Sequence, residues 1–415
     1  MDGRKDDIVI IGAGIVGTAV AAILSEGGHK VLVIDRQGIC EGTSSGNAGA
    51  LAFSDILPMA SKGVLAKVPR WLRDPLGPFT IRPGYLPKLA PWLYRFWRAS
   101  RPAAQIHTIE AQGAMMRLAE PEMLGLMERA GIRHMVRDDG SLELYESEEE
   151  LNGTLPGWTA RKKAGIAFEH LRGDDLAECQ PGLARRFVAG TFVPGWKTVS
   201  DPLHVGKGLW AYAERLGARY RQAEVVTVTS TAEGVAIGLA NGETINTGKL
   251  VIAGGAWSHR LAKQLGDGIP LETERGYNTT LPRDAFNLNR QLIFSGHGFV
   301  VTPLETGVRI GGAVELGGLD LPPNYARSEA MLTKAKLFMP GLETAGGRQW
   351  MGYRPSLPDS LPVIGYARAS KNVLYAFGHG HLGLTQAAAT GRLISELIDG
   401  RTPSIAIEAF HPQRF

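Results

Sequence analysis

The apolar positions of the chain fall into short blocks separated by glycines, and the clearest block stands near its start. In "DIVIIGAGIVGTAVAAILSEGGHKVLVIDR" (7–36), Ile8 to Ile11 are consecutive β-branched residues, the pattern of a strand buried on both faces. Val16 to Leu24 predicts a buried helix, which the glycine pair at 27–28 stops, and Lys30 to Ile34 predicts a second strand. Residues 223–266 read as a β-meander with an "NG" hairpin turn at 241–242, then a strand from Lys249 to Ala253 and a helix from about Ser258. Near the end, Asn372 to Phe377 predicts a strand and Thr385 to Leu397 a helix, closed by "DG" at 399–400. The "DP" at 201–202 reads as a helix start.

Composition narrows this picture. A chain of 415 residues exceeds one ordinary core, so two domains, interleaved or in tandem, are expected. With 44% apolar and 21% charged residues, the chain is globular in type. Cys40 and Cys179 are the only cysteines, which suits a reducing, cytoplasmic setting. The net charge of +4 gives no reason to expect nucleic acid. "MDGRKDD" is charged, and the apolar run after it is broken by three glycines, so it reads as strand and turn and not as a signal peptide. With no apolar run of transmembrane length, no spanning helix is expected.

The first block carries chemistry. Gly12, Gly14 and Gly17 form G-x-G-x-x-G between strand and helix. Gly12 permits the tight turn, Gly14 lets the backbone approach a pyrophosphate, and Gly17 lets helix and strand pack closely. Ile15 and Val16 open the helix, whose free N–H groups and positive dipole end favour phosphate. Asp35, at the end of the second strand, can accept from an adenosine ribose, with Arg36 beside it; an acid here disfavours a 2′-phosphate. The motif does not separate NAD from FAD.

Later segments favour FAD. "EGTSSGNAGAL" (41–51) follows the second strand at once and can wrap a cofactor with backbone N–H groups and hydroxyls, through Thr43, Ser44, Asn47, Ala48 and Gly49. Val225 and Val226 are placed to flank an adenine, and Gly254 and Trp257 of "GGAW" follow the next strand. "GHGHLGLT" (378–385) offers His379 and His381 one residue apart, a spacing that on a strand could hold a metal. No third ligand stands at a recognisable spacing among other histidines such as His259 or His297, so no metal is expected. The segment instead reads as a turn and helix start. Gly378, Gly380, Leu382, Gly383, Leu384 and Thr385 would face the electron-rich side of a reduced flavin ring, and His379 would touch the ring or line the pocket.

In this order, "VIIGAGIVGTAVAAILSEGGHKVLVIDR", "EGTSSGNAGAL", "VIAGGAWSHRLAKQLGDGIPLETERGY", "WMGYRPSLPDSLPVIG" and "YAFGHGHLGLT" resemble the D-amino acid oxidase superfamily of FAD enzymes over nearly the whole chain, in its bacterial D-amino acid dehydrogenase branch. "VPRWLRDPLGPFTIRPGYLPKLAPWLYRF" is similar to the subgroup with D-hydroxyproline dehydrogenase and glyphosate oxidoreductase. The resemblance implies an α/β protein with an α+β second domain. An interrupted Rossmann-type FAD domain (1–60, 186–267 and 346–415) would be covered by a mixed-sheet substrate domain (61–185 and 268–345). Some relatives attach the flavin through cysteine or histidine. Gly352 and Tyr353 occupy the place where a cysteine would be expected and 41–53 hold no histidine, so non-covalent FAD is expected.

The resemblance also gives Arg354, in "GYRP", the role of binding a substrate carboxylate, which a guanidinium fork suits. A structural arginine paired with an acid such as Asp359 is the plainer alternative. Tyr353, Tyr277 and Arg275 are further pocket candidates. The implied reaction oxidises a Cα–N bond of a small carboxylate-bearing amine, a D-amino acid or a secondary amino acid such as D-hydroxyproline, or cleaves an N-substituted glycine. Electrons would pass to oxygen or a quinone. Rival readings are an NAD-dependent dehydrogenase and a non-catalytic FAD-binding protein. In Arg82 to Arg101, Trp92, Tyr94, Phe96 and Trp97 are interleaved with Lys88, Arg95, Arg98 and Arg101. This stretch reads as a helix packing on the substrate domain, as a subunit contact, or as a peripheral contact with the inner face of a membrane. The oligomeric state stays open.

Overall fold

The computed structural model describes residues 7–60 and 79–415, together with Pro69, Arg73 and Gly77. Residues 1–6 and most of "VPRWLRDPLGP" lie outside the described residues.

Two large sheets organise the chain. The first has six strands in the order Arg219–Gln222, Val31–Asp35, Ile8–Ile11, Lys249–Ile252, Ser370–Phe377, Val363–Ala367. All neighbours are parallel except the last pair. Alternation along the strands feeds two cores. Ile8, Ile10, Val31, Val33 and Val251 pack with the helices Ile15–Glu26, Gly383–Ile398 and Pro202–Arg215. Val9, Ile11, Leu32, Ile34 and Leu250 pack on the opposite side with the meander strands Val225–Thr231 and Gly234–Leu239 and the helix Ser258–Gln264. Burial on both faces is why these strands read as unbroken apolar runs. Asp201 starts the Pro202–Arg215 helix, its Oδ1 accepting from the N–H groups of Leu203 and His204 at 2.8 and 3.1 Å.

The second sheet has nine strands. Its main path runs Arg348–Ser356, Glu272–Leu281, Gly307–Leu316, Phe299–Leu304, Gln291–Phe294, Ser141–Tyr145, Ala189–Val193, Glu169–Arg172, and Phe79–Ile81 pairs with Gly307–Leu316. Most neighbours are antiparallel, so the sheet is mixed, as expected. Two strands expected on the cofactor side, Ala189–Val193 and Arg348–Ser356, pair in this sheet instead. Hydrogen-bond partners that distant in sequence leave no local mark.

On the helix Leu86–Ala99, Leu89, Trp92, Leu93 and Phe96 pack against Ile81 and Leu316. Tyr94 and Trp97 face outward among Lys88, Arg95, Arg98 and Arg101. No helix among the described residues is long and apolar enough to cross a membrane.

Candidate active site

The carboxyl ends of the parallel strands open into a cavity of about 1150 Å³ that continues across one face of the nine-stranded sheet. Ligands of open parallel sheets bind at this end of the strands. Gly12, Gly14, Ile15 and Val16 form its floor at the first turn. Gly12 has φ +111°, and a Cβ there would stand 2.4 Å from the Ala253 carbonyl oxygen. Gly17 lies outside the lining, where a Cβ would meet the Gly12 oxygen at 1.9 Å; it serves helix packing, as its place in the motif implies. Asp35 lines the cavity while its oxygens accept from the backbone N–H groups of Ala13 at 2.7 Å and Gln37 at 2.8 Å. Each carboxylate oxygen keeps a second lone pair for a ribose hydroxyl.

The glycine- and hydroxyl-rich loop lies against the motif, and its Thr43, Ser44 and Asn47 line the cavity. Ser44 Oγ accepts from Ile15 N–H at 3.0 Å. Thr43 Oγ1 donates to the Tyr353 carbonyl at 3.2 Å and accepts from its N–H at 3.1 Å. Asn47 Oδ1 accepts from Gly49 N–H at 2.8 Å. These hydrogen bonds shape the loop and tie it to helix and strand. Ala48 lines it; Gly49, at φ +74°, packs against Leu304 outside it. Two residues that the sequence reading missed clamp the loop from the second sheet. Asn278 donates to the Gly46 carbonyl at 2.9 Å, and Arg309 to those of Ser45 and Asn47 at 3.2 and 2.6 Å. They come from more than two hundred residues away, with no motif to mark them.

Val225, Val226, Gly254 and Trp257 line the other wall. The Arg36 guanidinium sits 4.0 Å over the Trp257 ring, and Tyr353 meets the same ring edge-on at 5.2 Å. Tyr353 therefore turns toward the Arg36 and Trp257 wall. Ser258, fully buried, also lines the cavity, and its hydroxyl has no partner among the described residues.

At the C-terminal turn, Gly378, Gly380, Leu382, Gly383 and Leu384 line the cavity beside the start of the Gly383–Ile398 helix. Thr385 does not. Its hydroxyl accepts from Ala52 N–H at 3.0 Å, fastening the loop to the helix. The two histidines diverge. His379 is buried, its Nε2 2.9 Å from Thr390 Oγ1, and burial pulls its pKa down to about 3. His379 still lines the cavity, as a neutral imidazole held on a helix hydroxyl. His381 reaches the cavity and stands 3.0 Å from Asp55. Their imidazoles meet different partners, so they do not form the metal pair that their spacing suggests.

On the substrate side, Arg354 and Gly276 face the cavity from adjacent strands. The Arg354 guanidinium makes no hydrogen bond or ion pair with any described residue. Burial lowers its pKa, opposed by the charge of Glu274 across the strand pair. Asp359 pairs with Arg414 at 2.7 Å and not with Arg354. Tyr277 and Arg275 have other duties. Tyr277 OH donates to Glu315 Oε2 at 2.6 Å and accepts from Asn324 N–H at 3.1 Å; burial, with Glu315, pushes its pKa up to about 12. Arg275, fully buried, pairs with the same carboxylate at 3.0 Å. Tyr277 lines the cavity while its hydroxyl is held by this buried ion pair.

The glycine cradle, the phosphate-facing helix start and the orphaned Ser258 hydroxyl fit a dinucleotide, and the second sheet gives its reactive end a covered pocket. Residues 7–397 match the family model described as DAO, FAD dependent oxidoreductase. The chain is 35% identical to a D-amino-acid oxidase of Bradyrhizobium diazoefficiens, over 100% of this chain and 99% of the relative. Its fold is similar to glycine oxidase from Geobacillus kaustophilus (TM-score 0.77, 22% identity, 99% of each chain). It is also similar to L-proline dehydrogenase from P. horikoshii (TM-score 0.74, 22% identity, 99% of this chain and 98% of that one). The chain belongs to the FAD-dependent oxidoreductase family, and its cofactor is FAD.

Proposed function

We propose that the protein oxidises the Cα–N bond of an amino acid, either a D-amino acid or a secondary amino acid such as D-hydroxyproline, using FAD held without a covalent bond. The unpartnered Arg354 guanidinium in the cavity wall carries this reading. A partly desolvated cation with no counter-ion in contact is costly unless a ligand supplies one, and a planar carboxylate fits its fork. The full-length likeness to a D-amino-acid oxidase supports the amino acid class.

Arg354 holds the carboxylate, and the chain orients Cα for transfer. FAD, when bound, would supply the two-electron acceptor for the Cα hydrogen as hydride, and the amine would give up one proton to solvent as the imine forms. The imine that forms is hydrolysed by water or persists if cyclic. Orientation in a covered site suffices, so the absence of an acid–base pair beside Arg354 among the described residues is no obstacle.

The proposal divides the chain into a cofactor unit around the parallel sheet and a substrate unit around the nine-stranded sheet. It includes oxygen or a quinone as electron acceptor. Tyr94 and Trp97, exposed beside four basic residues, favour a peripheral contact with the cytoplasmic face of a membrane. The test is anaerobic bleaching of the flavin by cyclic D-amino acids, linear D-amino acids and N-substituted glycines. Bleaching by the cyclic compounds supports the secondary-amine choice, and by linear ones alone removes it. If no amino acid bleaches the flavin, the protein is a flavin binder without this activity.

A further inference from the structure

The cavity has a second polar end that the carboxylate anchor does not use. On the strand Ser141–Tyr145, Ser141 and Glu143 share the face that lines it. Ser141 is 1% exposed and its hydroxyl has no partner among the described residues. Glu143 accepts from Ser295 Oγ at 2.6 Å through Oε1, while Oε2 has no partner among the described residues. Burial raises the Glu143 pKa against the pull of that hydrogen bond and of the Arg161 charge.

The nearby cations are engaged elsewhere. Arg161 donates to the Ser54 carbonyl at 3.2 Å, lies 3.8 Å from Asp55 and covers the Trp158 ring at 4.5 Å. His381 is on the other side of Asp55 at 3.0 Å. This end and the anchor line the same cavity from strands five apart in the nine-stranded sheet. Pro355, next to Arg354, accepts from Gly380 N–H at 2.8 Å, and His381 follows Gly380.

We propose that Glu143, with Ser141 and Ser295, is a specificity subsite that receives a hydrogen-bond donor, a hydroxyl or an ammonium, on the side chain of an amino acid whose carboxylate lies on Arg354. An unpaired carboxylate oxygen and an orphaned hydroxyl, facing one cavity, cost free energy until a donor fills the space between them. The inference rests on the amino acid reading above and narrows it to side chains with a polar end.

The experiment compares flavin reduction of the holoenzyme by matched pairs: lysine against norleucine, and 4-hydroxyproline against proline, with both enantiomers of each. In at least one pair the donor-bearing compound is expected to be at least tenfold more efficient. A preference in the first pair identifies an ammonium, and in the second a hydroxyl. Glu143→Leu is expected to abolish that ratio, and Ser141→Val, which removes a hydroxyl that holds nothing in the fold, to lower it. Retained flavin shows that each variant is folded. Equal efficiency within both pairs, or a ratio unchanged in both variants, overturns the subsite while the amino acid reading stands. If no compound of either pair reduces the flavin, the subsite falls together with that reading.

Discussion

The guanidinium of Arg354 lies directly over Gly276. A Cβ built on that glycine would stand 2.8 Å from both Cζ and Nη2 of the arginine. The two residues lie on neighbouring strands two registers apart, Gly276 opposite Gly352 and Arg354 opposite Glu274. The missing side chain is what lets the arginine lie along the cavity face.

Gly276→Ala should therefore push the guanidinium off its position without unfolding the sheet, because the clash is with the far end of a flexible side chain. The expected result is a rise of about tenfold in KM, the scale of one weakened charged hydrogen bond. Steady-state kinetics on a carboxylate substrate, with flavin content as the folding control, measures it.

Arg354→Met should cost more, because it removes the fork. Hydrogen bonds to charged groups are worth about 1.5–3 kcal/mol, so kcat/KM should fall roughly 10- to 100-fold. Arg354→Lys should recover only part, since an ammonium cannot bind both oxygens in one plane. Full activity in Arg354→Lys would argue that charge alone is used.

Gly12→Ala should abolish flavin binding. Its Cβ would meet backbone, the Ala253 carbonyl, which cannot swing aside, and the residue would also be held at positive φ. The ratio of flavin to protein absorbance in the purified variant reads this directly.

Arg309→Ala should loosen the 43–49 loop by removing its donation to the carbonyls of Ser45 and Asn47. The affinity for FAD should fall by about tenfold or more. Titration of apoprotein with FAD, followed by quenching of flavin fluorescence, tests it. A binding curve like that of the wild type would show that the loop needs no clamp.

His379 should make the fold sensitive to acid. Its ring stays neutral in the folded state to about pH 3, while in the unfolded chain it takes a proton near its ordinary value of 6.5. The unfolded state therefore binds more protons between these values, and stability drops as pH falls from about 6.5 toward 3. The slope from this residue is at most about 1.4 kcal/mol per pH unit. Denaturant midpoints across that range should show a shallower slope in His379→Asn.

Serine in place of both Tyr94 and Trp97 should reduce co-sedimentation with anionic vesicles while leaving flavin content unchanged, since both side chains are exposed. Equal recovery with wild type would remove the membrane contact.

The cofactor half of the site was legible because its signals are local. The strand, the three glycines, the helix and Asp35 occupy one continuous stretch, and each residue type there answers to the conformation of its own backbone. The same holds for Asp201 as a helix cap and for the turn before the last helix. Arg354 was legible only through resemblance, since nothing in "GYRP" alone distinguishes a ligand from a structural arginine.

What the tertiary structure decided was the assignment of side chains to partners. Tyr277 and Arg275 bond Glu315, Thr43 bonds Tyr353 and His379 bonds Thr390, while His381, the less favoured histidine, lines the cavity along with His379 and pairs with Asp55. Asn278, Arg309 and Glu143 joined the cavity from the second sheet with no motif to announce them. Backbone conformation depends on a few neighbours in sequence, so glycines and strand ends can be read directly. The direction of a side chain and the group that satisfies it depend on strands hundreds of residues apart, and those meet only when the chain is folded.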